Sequence, residues 1–403
     1  MKVLIEGWTD IPHSYTIVNV LQMYYMSKYH PDVQIFIKSK RYPTSRWNSL
    51  SGAWFFSSEI QEFLKTLRNW TPGVDIDIVY RISYPFDVSR HNTVPVVVFL
   101  TMEFARLNPH TIVPRITDGD IRSALSDTLY FVTPSNWSAK GLEPYFSQTD
   151  EHARVIPHGV DLDMFRRLAD RRVFRKSFGI PEDVVVFLHA GAMTRNKGTY
   201  ETLYLLFRLV VQHKCTWIHL VLKCSEDLYQ SSRFIEDYIH DIAIQENSNI
   251  HTVRKFIDTH TTILTETLSF DGLNQLYNAS DIYMAPYSGE GFNLIPLEAV
   301  CSGCKLVITS GGASDDYLVD IVKECPEAVI LLPGKNVMYN GEMRLCQVNL
   351  PESLELLQNS YTSLMSSLTD EQVDRCRRAI SERFSWKAVV DTYVNHFRNI
   401  LRN

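Results

Sequence analysis

The sequence lacks long apolar runs, an excess of basic charge, and a paired set of cysteines. Its longest apolar stretches, Val94–Leu100 (broken by Pro95) and Val184–Leu188, fall far short of the roughly 20 residues that a membrane-spanning helix needs. Forty Lys and Arg against 46 Asp and Glu leave a net charge of −6. That excludes a chain that grips nucleic acid by overall charge, since phosphate binding needs clustered cations. The seven cysteines are odd in number and all fall between Cys215 and Cys376, a pattern that suits free thiols in a reducing compartment. The N-terminal MKVLIEGWTD reaches an acid, Glu6, before a signal-peptide core could form, so it reads as a first strand. The expectation is a cytoplasmic protein, in which the Asn-X-Ser/Thr triplets at Asn69, Asn136 and Asn278 carry no glycan.

What is present is the composition of a globular chain: 45% apolar and 21% charged residues. Its 403 residues correspond to two or three domains. Short β-branched runs at Val3–Ile5, Val33–Ile37, Ile76–Tyr80, Val94–Leu100, Leu129–Val132 and Val155–Ile156 alternate with helically spaced stretches such as Ile17, Val20, Leu21 and Tyr24. The pattern restarts with Val184–Leu188, Ile218–Leu222, Ile250–Val253, Ile282–Ala285, Leu306–Thr309 and Val329–Leu332. Between the two sets, IPHGVDLDMF (156–165) reads as a hinge, and from Pro351 onward the spacing is helical. Unalternating runs suit strands buried on both faces, and strand–helix alternation implies parallel, doubly wound sheets. The expected class is α/β, with two Rossmann-like domains facing across a cleft, residues 1–168 and 169–383.

The densest chemical signal is YNASDIYMAPYSGEGFNLIPLEAVCSGCKLVITSGGASDDYL (277–318). Ile282–Ala285 reads as a strand, 286–291 as a loop at its carboxyl end, and a helix starts around Asn293–Pro296 and stops near Gly303. The amides of Gly291, Phe292, Asn293 and Leu294 then lie at a helix N-terminus just past a strand. Such a place binds phosphates in an α/β sheet. Glu290 sits in the loop and Glu298 inside the helix, where a carboxylate suits the two hydrogen bonds of a ribose diol.

Glu290-Gly-Phe-Asn-Leu-Ile-Pro-Leu-Glu298 resembles the E-x7-E signature of retaining nucleotide-sugar glycosyltransferases of GT-B fold, most of all the large family 4. Other stretches match that family in the same order. TPSNWSAKGL (133–142) is similar to its last N-domain strand and following helix, and VIPHGVDLDMF (155–165) to its interdomain segment. HAGAMTRNKG (189–198) resembles its phosphate-binding loop and HLVLKCSEDLY (219–229) the next strand. FSWKAVVDTYVNHF (384–397) resembles the closing helix, which in the family crosses back to the N-terminal domain, so residues 384–403 are assigned that place. The likeness spans residues 130–400, and the first 130 only in outline.

The resemblance implies roles for individual residues. Lys197 matches the cation that holds the donor diphosphate, and a leaving nucleoside diphosphate must be neutralised when no metal is bound. No metal and no cofactor are therefore expected, the nucleotide sugar being a co-substrate. Many relatives have an Arg directly after the loop's first glycine; here Ala192 follows Gly191, and Arg195 and Lys223 are further candidate cations. Glu298 would hold the donor ribose, the amides at 292–294 would meet the diphosphate or donor sugar, and Glu290 would position and stabilise the reacting sugar rather than attack it. Where relatives often have Thr-x-His, this chain has Thr101-Met102-Glu103, so Glu103 stands in for the histidine, with His91 and His13 as spares. The loop GWTDIPHSY (7–15) supplies acceptor-side candidates Gly7, His13 and Ser14.

Other features have two readings. Arg166, Arg167, Arg171, Arg172, Arg175 and Lys176 in the stretch 165–176 form either a rim for phosphate or an anionic membrane surface, or a solvated helix with Val173 and Phe178 as its buried points. Cys301-Ser-Gly-Cys304 lies at a helix end and reads as a turn rather than a redox or zinc pair. Gly311-Gly312 with Asp315 and Asp316 reads as a loop near the donor. Trp8, Trp47, Trp54 and Phe55 are candidates for a sugar or lipid platform, although core packing is the commoner fate of such residues. The leading expectation is a retaining transfer from a nucleotide-diphosphate sugar to an unidentified glycan, lipid or protein-linked acceptor. The alternatives are a non-catalytic nucleotide-sugar-binding scaffold, to which Glu103 gives some purchase, and a GT-B sugar-nucleotide epimerase.

Overall fold

The computed structural model describes residues 1–44, 47, 53–114, 125, 129–146, 152–341 and 343–402, which divide into two compact units, Met1–Gly159 with Glu382–Asn403 and Val160–Ser381. In the first unit, β1 (Lys2–Gly7), β2 (Gln34–Ser39), β3 (Arg68–Asn69), β4 (Ile78–Ile82), β6 (Val96–Phe99), β8 (Leu129–Thr133) and β9 (Ala153–Val155) form one sheet in the order β3-β2-β1-β4-β6-β8-β9. Every pairing in it is parallel. The two-residue strands β5 (Phe86–Asp87) and β7 (Ile112–Val113) pair separately. Pro95 sits just ahead of β6, where its missing N–H removes no ladder bond.

The helix Ser14–Tyr29 is buried on nearly every side, including Asn19 and Gln22. It packs against the chain's last long helix, Trp386–Ile400. Two buried hydroxyls there satisfy each other: Tyr80 Oη is 3.0 Å from Gln22 Oε1 and 3.3 Å from Tyr393 Oη. Trp386 is buried and stacks on Tyr25 with ring centroids 6.1 Å apart. Gly159 lies flat against it, and a Cβ there would stand 2.5 Å from the indole. His30–Asp391 and Arg398–Asp32, both at 2.8 Å, tie the rim of this packing.

In the second unit, β10 (Val185–Gly191), β11 (Ile218–Cys224), β12 (Thr261–Leu264), β13 (Ile282–Ala285), β14 (Lys305–Thr309) and β15 (Val329–Leu332) form a parallel sheet in the order β12-β11-β10-β13-β14-β15. That is the 3-2-1-4-5-6 order of a doubly wound nucleotide-binding sheet. An antiparallel hairpin, β16 (Gly334–Tyr339) with β17 (Met343–Val348), follows it.

Two expectations need correction. The run Ile250–Val253 is not a strand but the start of the helix Ile250–His260, and the strand is Thr261–Leu264. Buried Val253, Phe256 and Ile257 recur at helical spacing, and the Asn249 side chain caps the helix by accepting from His251 N at 2.9 Å. In the helix Arg171–Ser177, Val173 is 56% exposed, while Arg175 takes the inward position. Its guanidinium donates to the carbonyls of Ala279, Glu182 and Val184 and to Asp281, at 2.5–3.1 Å, so a charged group is satisfied where an apolar one was expected. Arg171 also pairs with Asp281 at 2.5 Å, and Arg167 reaches the Leu368 carbonyl and Asp370. Of the basic stretch, Arg166, Arg172 and Lys176 stay exposed, without an ion pair among the described residues.

Trp386→Ala removes the ring that fills the space between Tyr25 and Gly159. The expected loss is about 3–5 kcal/mol in urea unfolding; a loss under about 1 kcal/mol would contradict this packing.

Candidate functional site

The second sheet reverses its strand order between β10 and β13, and the loops that leave the carboxyl ends of strands at such a switch point are the usual place for a ligand in an open α/β sheet. Both loops are tightly fixed. Asn196 accepts at its carbonyl from the amides of Ser288 and Gly289, at 2.9 and 3.2 Å, and donates through Nδ2 to the Gly289 carbonyl at 2.9 Å. Gly198, at φ +83°, closes the contact: a Cβ would lie 2.3 Å from the Pro286 carbonyl oxygen. The consequence is the position of the neighbouring side chain. Lys197 Nζ lies 2.9 Å from Glu290 Oε2, with both groups largely shielded from water.

Two helices begin beside this pair, Thr199–Phe207 and Leu294–Cys301, and neither has a side-chain cap. Other helices are capped by His13, Ser57, Ser269 and Ser385, whereas Ser232–Gln245 and Asp315–Glu324 also start without a side-chain cap. Uncapped amides at a helix N-terminus leave donors and a partial positive charge for an anion. Asn293 holds the second of these ends open in a left-handed conformation, φ 70°, which costs a non-glycine residue energy and persists only where its surroundings fix it. Tyr317 Oη donates to the Asn293 carbonyl at 3.0 Å, and the Tyr317 ring packs on Phe292 at 5.6 Å. Gly291 and Phe292 are buried, and Leu294 opens the helix.

The floor is Tyr283, a buried β13 side chain that donates to the Ala190 carbonyl of β10 at 3.2 Å. Burial raises its pKa most, Glu290 and Glu298 add to the rise and Lys197 opposes it, so all three groups lie within electrostatic reach of this hydroxyl. Glu298 Oε2 accepts from Tyr277 Oη at 2.7 Å. Burial lifts the Glu298 pKa to about 8, with Asp161 adding to the rise and the Tyr277 hydrogen bond pulling the other way. Without a ligand this carboxyl is protonated at neutral pH. His189 links the same strands: burial holds its pKa down at about 4, so Nδ1–H must donate to the Met284 carbonyl at 2.8 Å while Nε2 accepts from Thr199 Oγ1 at 3.0 Å.

The structure therefore brings together Lys197, Glu290, Glu298 and the 291–294 turn. Arg195 points elsewhere, stacking on Tyr200 at 4.2 Å and pairing with Asp241 at 2.8 Å. Lys223 is buried at the end of β11; burial lowers its pKa, and Nζ donates to the Cys224 carbonyl at 2.7 Å. Glu103, Gly7, His13, Ser14 and His91 belong to the first unit. There His13 caps its helix by accepting from Tyr15 N at 3.1 Å, Gly7 is packed against Ile82 and Asn19, and the Glu103 carbonyl accepts from Trp137 Nε1 at 2.9 Å. Cys301 and Cys304 are buried free thiols whose pKa burial lifts to about 12. Asp315 is used within its loop, accepting from the Gly311 amide. Asn196 and Tyr283 went unrecognised in the sequence, because one binds only backbone groups of a distant loop and the other looks like any strand residue.

The same architecture occurs in solved glycosyltransferases. A glycosyltransferase from Rickettsia africae matches with a TM-score of 0.69 at 12% identity, covering 100% of this chain and 99% of that one. This is the GT-B fold. HepE of Anabaena, solved in complex with UDP-glucose, matches this GT-B chain with a TM-score of 0.61 at 12% identity, over 99% of this chain and 100% of its own. By sequence the chain is 22% identical over 258 residues to an uncharacterized glycosyltransferase of Methanocaldococcus jannaschii, covering 63% of this chain and 55% of that relative. The aligned region thus spans about half the length of the curated relatives it matches. No family model matches.

Gly198→Ala forces a Cβ into the Pro286 carbonyl at a positive φ. It is expected to cost about 1–3 kcal/mol of unfolding free energy, and unchanged stability would show that the two loops are not held by this contact.

Proposed function

We propose that the chain is a retaining glycosyltransferase that takes a sugar from a nucleotide-diphosphate sugar without needing a metal ion. The observation that carries this reading is the Lys197–Glu290 pair at the switch point, flanked by two uncapped helix ends and Glu298. The GT-B fold and the glycosyltransferase names of its relatives support it. Lys197 and the amides of the 291–294 turn neutralise the diphosphate as the glycosidic bond breaks, which is the largest charge the reaction develops. Glu290 shares the Lys197 ammonium in the resting state and is released toward the transferred sugar when the diphosphate takes that cation. There its charge stabilises an oxocarbenium-like centre. Glu298 accepts from the ribose hydroxyls of the donor.

The reading is tested by supplying nucleotide sugars and acceptors, following nucleoside diphosphate release, and assigning the anomer of the product. A product of inverted configuration excludes the retaining mechanism, and an activity abolished by EDTA and restored by a divalent cation excludes metal independence. Lys197→Ala is expected to weaken UDP binding at least about tenfold by calorimetry. Equal affinity would remove Lys197 from the diphosphate site.

The Glu298 carboxyl gives a signed pH dependence. A ribose diol donates two hydrogen bonds and so prefers the carboxylate, whereas the unliganded group holds its proton below about pH 8. Binding below that pH must expel the proton. UDP affinity should therefore rise with pH by up to about tenfold per unit and level off above about pH 8. The same slope in Glu298→Gln would assign the dependence to another group.

A further inference from the structure

The first sheet has its own switch point, between β1 and β4, and its carboxyl edge carries an unusual investment of charge. Glu6 and Arg81 are buried on adjacent, otherwise apolar strands and meet at 2.7 Å. Lys38 and Lys40 reach Glu6 from the end of β2 at 3.0 and 3.2 Å, and Lys40 also pairs with Asp87 at 2.6 Å. Burial pushes the Glu6 carboxyl up, but Arg81 and the two lysines more than offset it and keep it ionised. A buried ion network adds little to net stability.

Beside this network lies an open cavity of about 510 Å³, the size of a small-ligand site. We propose that this cavity, lined by Trp8, Asp10, Lys40, Arg41, Tyr42 and Trp47, binds a carbohydrate bearing an anionic group, phosphate or carboxylate. Its role as the acceptor of the transferred sugar rests on the transferase reading; binding itself does not.

Each wall has a task. Trp47 stands edge-on to Trp8 with centroids 5.6 Å apart and lies 4.9 Å from the His13 ring. Trp8 also meets Tyr42 at 5.9 Å. Trp8 is itself buried, so it serves as the support that holds the partly exposed Trp47 and Tyr42 rigid, and these two present the aromatic surface. Asp10 accepts from the Tyr42 hydroxyl and offers its remaining lone pairs to sugar hydroxyls. Lys40 is already matched by two carboxylates. Arg41 is not matched: it is exposed at the rim, its guanidinium has no partner among the described residues, and its carbonyl is held by Trp8 Nε1 at 3.3 Å. A fixed backbone bearing a free planar cation suits bidentate capture of phosphate or carboxylate.

The test is calorimetry on the full chain with three probes at millimolar concentration: glucose 6-phosphate, glucuronate and glucose. At least one charged probe is expected to bind about tenfold or more tightly than glucose. Arg41→Ala should remove that advantage without changing glucose affinity, and Arg41→Lys should restore part of it. Preference for glucose 6-phosphate assigns a phosphate, and preference for glucuronate a carboxylate. Three results overturn the proposal: no binding of any probe, glucose binding as tightly as both charged probes, or a charged-probe advantage that survives Arg41→Ala. If binding depends on Arg41 while no nucleotide sugar is turned over, the cavity stands and the acceptor role falls with the transferase reading.

Discussion

The constraint on which the site depends is a backbone contact with no room in it. The Gly198 turn touches the Pro286 carbonyl, and Asn196 stitches the same loop to residues 288 and 289. A cation and an anion on separate exposed loops form a weak, screened pair. Here the loops have no freedom to separate, so Lys197 and Glu290 are held together before any ligand arrives. The ordering entropy is met during folding rather than on binding. The same contact fixes the start of the helix Thr199–Phe207, which has no side-chain cap, directly after Lys197.

Strain and burial in this unit serve one end. Asn293 adopts a conformation its side chain disfavours, Tyr317 and Ser314 hold it there, and the helix behind it starts without a cap. Glu298 is kept where ionisation is costly, against Tyr277. A fold selected for stability alone would relax both. Of the other titratable groups nearby, His189 is neutral and fully hydrogen-bonded and the cysteines are buried thiols, while burial lifts the Glu201 carboxyl in the first turn of Thr199–Phe207 to about 7.

Much of this was legible in the sequence, and the exceptions have physical reasons. Strands β10, β11, β13 and β14 were visible because strands buried on both faces are largely apolar runs, and the edge strand β15 because its four residues are all apolar. The block from Glu290 to Glu298 was visible because helix-start chemistry follows a strand at short range. Ile250–Val253 misled because a short apolar run does not reveal its period until Phe256 and Ile257 are counted with it. The hairpin Gly334–Val348 went unseen because its first strand is largely exposed and neither strand carries a long apolar run. Arg175 could not be told from its solvated neighbours, since its burial depends on three carbonyls and Asp281, none of them adjacent in sequence. The cavity beside Arg41 is long-range in the same sense, joining the end of β1 to the segment after β2.

The stack of Trp386 on Tyr25, with Gly159 against the indole, bears on how the chain is made. The first unit is discontinuous: its sheet precedes Val160–Ser381 in the sequence and its covering helix follows it. Domains generally fold as they emerge. The second unit, contiguous in sequence, can therefore close completely while Gln22 and Tyr80 still wait for Tyr393. The sheet that comes earlier in the sequence is thus completed only once the helix Trp386–Ile400 is available to cover it.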